Sequence, residues 1–158
     1  MTLMTSYAEL SLRMLLKPDD DLDFEPAQLG GVQWDVLLEL ARKNVILVHT
    51  YKRLLHMGVP ISEAFSDAVT QESERIQCTV QLISRISEMC SKNGVQFVFT
   101  KAFQHYPDMG HDIDLFVSDT SDNIDKLITG SFSTSLEKPS LVNRIAGKTS
   151  YKIHGCPS

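Results

Sequence analysis

Two aspartates, Asp112 and Asp114, stand two positions apart in the segment VQFVFTKAFQHYPDMGHDIDLFV at residues 95–117. They alternate with Ile113 and Leu115. An extended strand sends alternate side chains to opposite faces, so a strand here points both carboxylates one way and the apolar pair the other. Neighbouring anions repel unless a proton, a base or a cation lies between them. Hard divalent cations suit such oxygens, and paired carboxylates on an apolar strand are what magnesium-dependent phosphoryl or nucleotidyl transfer requires. Upstream, Lys101 follows the apolar run 95–100 where a strand gives way to a loop. A flexible ammonium at that place reaches a phosphate as a point charge.

Spacing alone does not single this pair out. Asp19 with Asp21, and Asp21 with Asp23, match the same pattern, as any short motif does by chance. Those acids lie between Pro18 and Pro26, with no apolar frame, and read as a solvated linker. Around Asp112 and Asp114, Ile113, Leu115, Phe116 and Val117 frame a strand. Carboxylates in a buried strand cost several kcal/mol unless neutralised; the plain alternative is an edge strand with a wet polar face. His111 adjoins Asp112 and has the chemistry of a ligand or proton relay, although a loop histidine without a fixed partner is ordinarily only solvated. His105 and Tyr106 are candidates for the same cleft. His49 and His56 fall on helices and receive no role, and Trp34 reads as a core anchor.

The elements that must position these residues divide at Gly94. Residues 6–16 have an amphipathic helical period that Pro18 stops, and 19–32 reads as a loop. Residues 34–43 place Trp34, Leu37, Leu38 and Ala41 on one stripe. Asn44 is suited to cap a second helix over 45–57, ended by Gly58. A long helix over 62–93 follows Pro60, the alternative being a break near 70–73 where its apolar stripe thins, and Gly94 stops it. Beyond it, 95–100 and 112–117 read as strands. Residues 119–122 offer caps for a helix through Thr129, closed by Gly130. Residues 131–140 are polar without a period, and 141–145 pairs with 150–154 as a hairpin around residues 146–148.

Composition narrows the classes. The chain has 158 residues and a formal charge of −5, with no basic tract for an extended nucleic-acid surface. No apolar run reaches the roughly 18 residues of a membrane span, and the first residues lack the basic-then-apolar pattern of a secretory leader. Cys78, Cys90 and Cys156 are odd in number and lack metal-type spacing, which reads as thiols in a reducing cytoplasm.

The order of apolar strand, Lys101, Tyr106-Pro107, short loop and Asp112-Ile113-Asp114-Leu115-Phe116-Val117 resembles the uncharacterised nucleotidyltransferases of the polymerase-β-like superfamily. Trp34, Leu37, Leu40-Ala41 and Val45, with the long helix before Gly94, are similar to that family's helical N-terminal region. The resemblance covers residues 34–117, and its specific part is the Asp-Ile-Asp-Leu block. It implies that Asp112 and Asp114 ligate Mg2+ (or Mn2+), that Lys101 lies near the phosphates, and that one ion activates the acceptor hydroxyl while another steadies the pyrophosphate. Three differences stand beside it. Ala102 replaces a usual glycine, Met109-Gly110-His111 fills a loop that usually carries arginine, and no third acid occurs in 150–154. Glu137 is a poor substitute. The third acid is therefore expected beyond Ser158, or the site is incomplete.

The expectation is thus an α+β protein. A helical N-terminal region, 1–94, packs on a partial mixed-sheet nucleotidyltransferase-type unit, 95–158, truncated at its C-terminus. Its function would be metal-dependent transfer of a nucleoside monophosphate from an NTP to a hydroxyl-bearing small molecule or protein. Two alternatives remain open: a degenerate non-catalytic member that binds a nucleotide or a protein, and a helical interaction module. Sequence leaves the base, the acceptor and the oligomeric state open.

Overall fold

The computed structural model describes residues 33–100, 103, 106–136 and 148–153. Within them the chain mixes helices and short strands: α1 Trp34–Lys43, α2 Leu47–His56, α3 Glu63–Lys92, β1 Phe97–Thr100, β2 Asp114–Val117, α4 Ser121–Ser131, β3 Thr134–Leu136 and β4 Tyr151–Ile153. Both sheets are antiparallel pairs, β1 with β2 and β3 with β4. The chain forms two compact units. One takes in residues 1–76 and 102–112; the other takes in 77–101 and 113–158. The helix expected over 6–16, the loop over 19–32 and the 141–145 half of the hairpin lie outside the described residues.

Three helices end in the same way. After α1, Val45 takes a left-handed φ of 54°, with Val45 N–H donating to Arg42 O and Ile46 N–H to Ala41 O. Gly58 after α2 and Gly94 after α3 have φ of 65° and 68° and repeat the pattern, Gly58 to Leu55 and Val59 to Leu54, Gly94 to Ser91 and Val95 to Cys90. Each is a Schellman closure, in which the two residues past the cap satisfy two orphan carbonyls. Glycine reaches this φ without cost; Val45 is β-branched and does not.

The first helix has the expected bounds. Leu37 and Ala41 are buried, and Trp34 meets Phe65 edge-on at 5.9 Å, the anchoring role expected of it. Asn44 does not cap α2. Its side chain donates to Leu40 O at 2.8 Å and serves the end of α1 instead. The long helix runs 30 residues without a break. Where its stripe thins, the Thr70 and Ser73 hydroxyls bond back to Ser66 O and Val69 O, so these polar side chains are satisfied on the helix itself.

In the second unit, Ile86, Met89, Cys90, Val95, Ile124, Ile128 and Phe132 form a buried cluster. Phe97, Phe99, Leu115 and Val117 pack against it, so these alternate residues give the sheet its core face. Arg85 lies over the Phe132 ring at 4.9 Å. Both strands are shorter than expected. Val95 closes α3 and β1 starts at Phe97; β2 starts at Asp114, which leaves Asp112 outside it. Gly130 lies inside α4, which ends at Ser131. Residues 134–136, expected to be irregular, are β3, and they pair with β4, Leu136 opposite Tyr151.

Cys90 is a buried free thiol, and burial raises its pKa. Cys78 is disulfide-bonded, which corrects the reading of three thiols. No described helix is long and apolar enough to cross a membrane.

Candidate functional site

The register of the first sheet places Asp114 opposite Thr100. Because β1 and β2 are antiparallel neighbours, the last residue of one strand faces the first of the other. Leu115 and Val117 turn to the core, while Asp114 shares the opposite face with Phe116 and, across the ladder, Val98 and Thr100. That face is open: Val98 is 55% exposed and Phe116 62%. The expected buried strand is therefore a half-buried one, and Asp114 is only partly covered.

The negative charge of Asp114 has a partner within the chain. Lys148 Nζ lies 3.4 Å from Asp114 Oδ1, with the lysine side chain 58% exposed and the aspartate 32%. Sequence reasoning placed Lys148 only in a turn. No periodicity or motif connects it to a residue so far back along the chain. Asp112 is exposed, as is His111, and the alternation that would align Asp112 with Asp114 does not extend to it, since the strand begins at Asp114. Lys101, Ala102, His105 and Glu137 lie outside the described residues.

The loop that leads to Asp112 is held from two sides. Its Asp108 is 3% exposed and accepts the Val48 N–H at 2.8 Å and the His49 N–H at 2.9 Å. These are first-turn amides of α2, whose own cap residue, Ile46, supplies no side-chain bond. A carboxylate from a distant loop thus does the work of an N-cap. Burial raises the Asp108 pKa, and the two amides and His49 oppose that shift. On the other side, buried Arg75 donates to Met109 O at 2.6 Å and Gly110 O at 3.2 Å. Glu72 grips the same guanidinium through both oxygens, at 2.6 and 2.9 Å. Tyr106, before the cis bond to Pro107, is exposed.

None of Asp108, Arg75 or Glu72 was marked out as functional by the sequence. Glu72 and Arg75 are visible there as an i,i+3 pair of opposite charge, but nothing in that spacing says that the arginine also binds a loop more than thirty positions on. Tyr151 donates to the Asp125 carboxylate, and burial, then Asp125, raise its pKa above the ordinary phenol range. This pair joins β4 to α4. β4 carries Tyr151, Lys152 and Ile153 and no acid.

No family model, curated protein or solved structure matches the chain. The likeness to nucleotidyltransferases therefore rests on the residues already named.

In kind, Asp112 and Asp114 are donors that suit a hard divalent ion. In number and charge they do not yet make a centre. One of the two is held by a lysine, and among the described residues no group of three or more His, Cys, Asp or Glu side chains comes together.

Proposed function

We propose that this chain carries a nucleotidyltransferase-type unit. It transfers a nucleoside monophosphate from an NTP to a hydroxyl of a small molecule or protein, with Mg2+ or Mn2+. Asp112 and Asp114 are the metal ligands and Lys101 the phosphate contact. The observation that supports this most is the register of the first sheet. Asp114 pairs with Thr100, and Thr100 directly precedes Lys101 in the chain. The strand that precedes the lysine in sequence and the strand that begins with the aspartate are thus neighbours, with the acid on the face away from the core.

The test is pyrophosphate release with magnesium and each of the four common ribonucleoside triphosphates, over a panel of hydroxyl-bearing acceptors. Asp112→Asn and Asp114→Asn are each expected to abolish release in a folded protein. Activity of the double variant equal to that of the parent would end the reading.

A second reading has its own support. The ion pair between Lys148 and Asp114 neutralises the acid without a metal, which suits a non-catalytic member that binds a nucleotide. Saturable binding of Mg-NTP with no pyrophosphate release would favour it.

A further inference from the structure

The chain has four asparagines, Asn44, Asn93, Asn123 and Asn143, and of these Asn93 alone is followed by glycine. A residue without a Cβ leaves its backbone nitrogen open to the side-chain amide before it. The β-branched Val45 and Ile124, which follow Asn44 and Asn123, crowd the same approach. Asn93 and Gly94 are both exposed, and a Cβ built on Gly94 would meet nothing within 4 Å, so water and hydroxide reach them. Both groups that would react are engaged in the closure of α3. Asn93 Nδ2 donates to Met89 O at 2.8 Å, and Gly94 N–H donates to Ser91 O at 3.2 Å.

We propose that Asn93–Gly94 is a modification site guarded by the end of α3: when the last turn opens, Asn93 passes through a cyclic imide to aspartate and isoaspartate. Hydroxide removes the Gly94 amide proton, and the nitrogen attacks Asn93 Cγ. The N–Cγ bond forms, the Cγ–Nδ2 bond breaks, and the side-chain nitrogen leaves as ammonia. Water then opens the ring, at Cγ to give aspartate or at the main-chain carbonyl carbon to give isoaspartate. The sum is an amide and water going to a carboxylate and ammonium, with nothing oxidised or reduced.

Three observations carry it. The end of α1 has the same geometry with a different neighbour: Asn44 Nδ2 donates to Leu40 O at 2.8 Å, and Val45 N–H donates to Arg42 O, so the residue after the asparagine separates a reactive pair from an inert one. The guard stands at a helix terminus, where a fold opens most readily. The product also does not fit. A carboxylate at position 93 cannot donate to Met89 O, and it adds negative charge at the negative end of α3. Isoaspartate further lengthens the main chain just before Val95, whose N–H reaches Cys90 O at 2.9 Å and whose side chain belongs to the buried cluster of the second unit. The modified chain therefore keeps a weakened closure.

The test is peptide mapping by mass spectrometry of the full 158-residue chain, aged in mildly alkaline buffer, native and in urea. In urea, Asn93 should convert well ahead of Asn44 and Asn123. In the native chain it should convert slower by on the order of tenfold or more, because only the opened turn reacts. The isoaspartate form, separated by chromatography after ageing in urea, should unfold at lower urea than the parent or fail to refold. Asn93→Asp, which has the charge without the longer backbone, should fall between them. If Asn93 in urea converts no faster than Asn44, glycine confers no reactivity and the proposal fails. Equal rates for Asn93 in the native and unfolded chains would show that the closure guards nothing, and also overturn it. So would an isoaspartate form as stable as the parent, since the end of α3 would then absorb the change.

Discussion

Asp108 and Asp114 lie in one short stretch of sequence, yet they are opposite kinds of carboxylate. Asp108 is 3% exposed and takes two backbone N–H groups of α2. Asp114 is partly exposed and holds one long contact to a lysine that is itself mostly in water. The first is fully engaged in architecture: its oxygens complete a helix terminus that the local chain leaves open. The second is weakly committed, which is what a group that must exchange partners requires. A buried charge is kept only where hydrogen bonds satisfy it, so burial and partner strength together tell a structural acid from an available one.

The largest expected effect falls on the side of architecture. Arg75→Ala leaves Glu72 and two loop carbonyls without their donor, and is expected to cost about 3 kcal/mol in urea denaturation, as removal of one member of a buried pair does. Asp108→Ala follows, at about 2 kcal/mol, because two first-turn amides lose charged acceptors. A loss below about 0.5 kcal/mol for Asp108→Ala, the range of a neutral surface substitution, would break the contrast from its structural side.

Asp108 also sharpens the contrast through pH. Its native pKa is raised, chiefly by burial, above the ordinary 3.8. The folded protein then holds the proton more tightly than the unfolded chain does. The stability this contributes is fully present below the unfolded pKa and is lost as pH rises through the native one. The stability of the wild type minus that of Asp108→Asn should therefore widen as pH falls from neutrality toward about 4. A difference that narrows over this range would show that the two amides outweigh burial.

Strain gives a smaller effect of opposite sign. Val45 holds φ at 54° where the other two Schellman closures use Gly58 and Gly94. Val45→Gly should stabilise the first unit by about 1 kcal/mol, the order of the left-handed penalty for a side-chain-bearing residue. A loss would mean that burial of the valine methyls outweighs the backbone term.

These residues also show what a sequence discloses. The bounds of α1, the stop of α3 at Gly94 and the inward turn of Leu115 beside an outward Asp114 follow from local period and stop signals, and the structure has them. Asn44 is a capping residue that suits either end of a connection, and only the fold decides that it meets the Leu40 carbonyl rather than an amide of α2. β3 was missed because three residues give no period, and its strand character comes from pairing with β4. At the candidate site, Asp114 was legible from its apolar neighbours, whereas Lys148 and Arg75 act across 34 and 35 positions, a separation that no local pattern encodes. Asp112 was drawn into the strand by alternation, but a two-stranded ladder runs only as far as its partner, and β1 ends at Thr100 opposite Asp114.

The smallest expected effect is the most informative about function. Asp114→Asn removes one contact of 3.4 Å between partly exposed groups, and the new amide remains wet. Its cost should stay within about 0.5 kcal/mol, as should that of Lys148→Met, and their double-mutant cycle should show coupling of no more than that, shrinking as salt is added. A cost for Asp114→Asn comparable to that of Asp108→Ala would erase the distinction between the two acids. If the cost is small, loss of metal binding or of transfer in Asp114→Asn cannot be put down to misfolding. The weakness of the Lys148 contact is thus what makes this position a clean probe: charge can be removed from it while the sheet register and the core beneath Leu115 and Val117 stay in place.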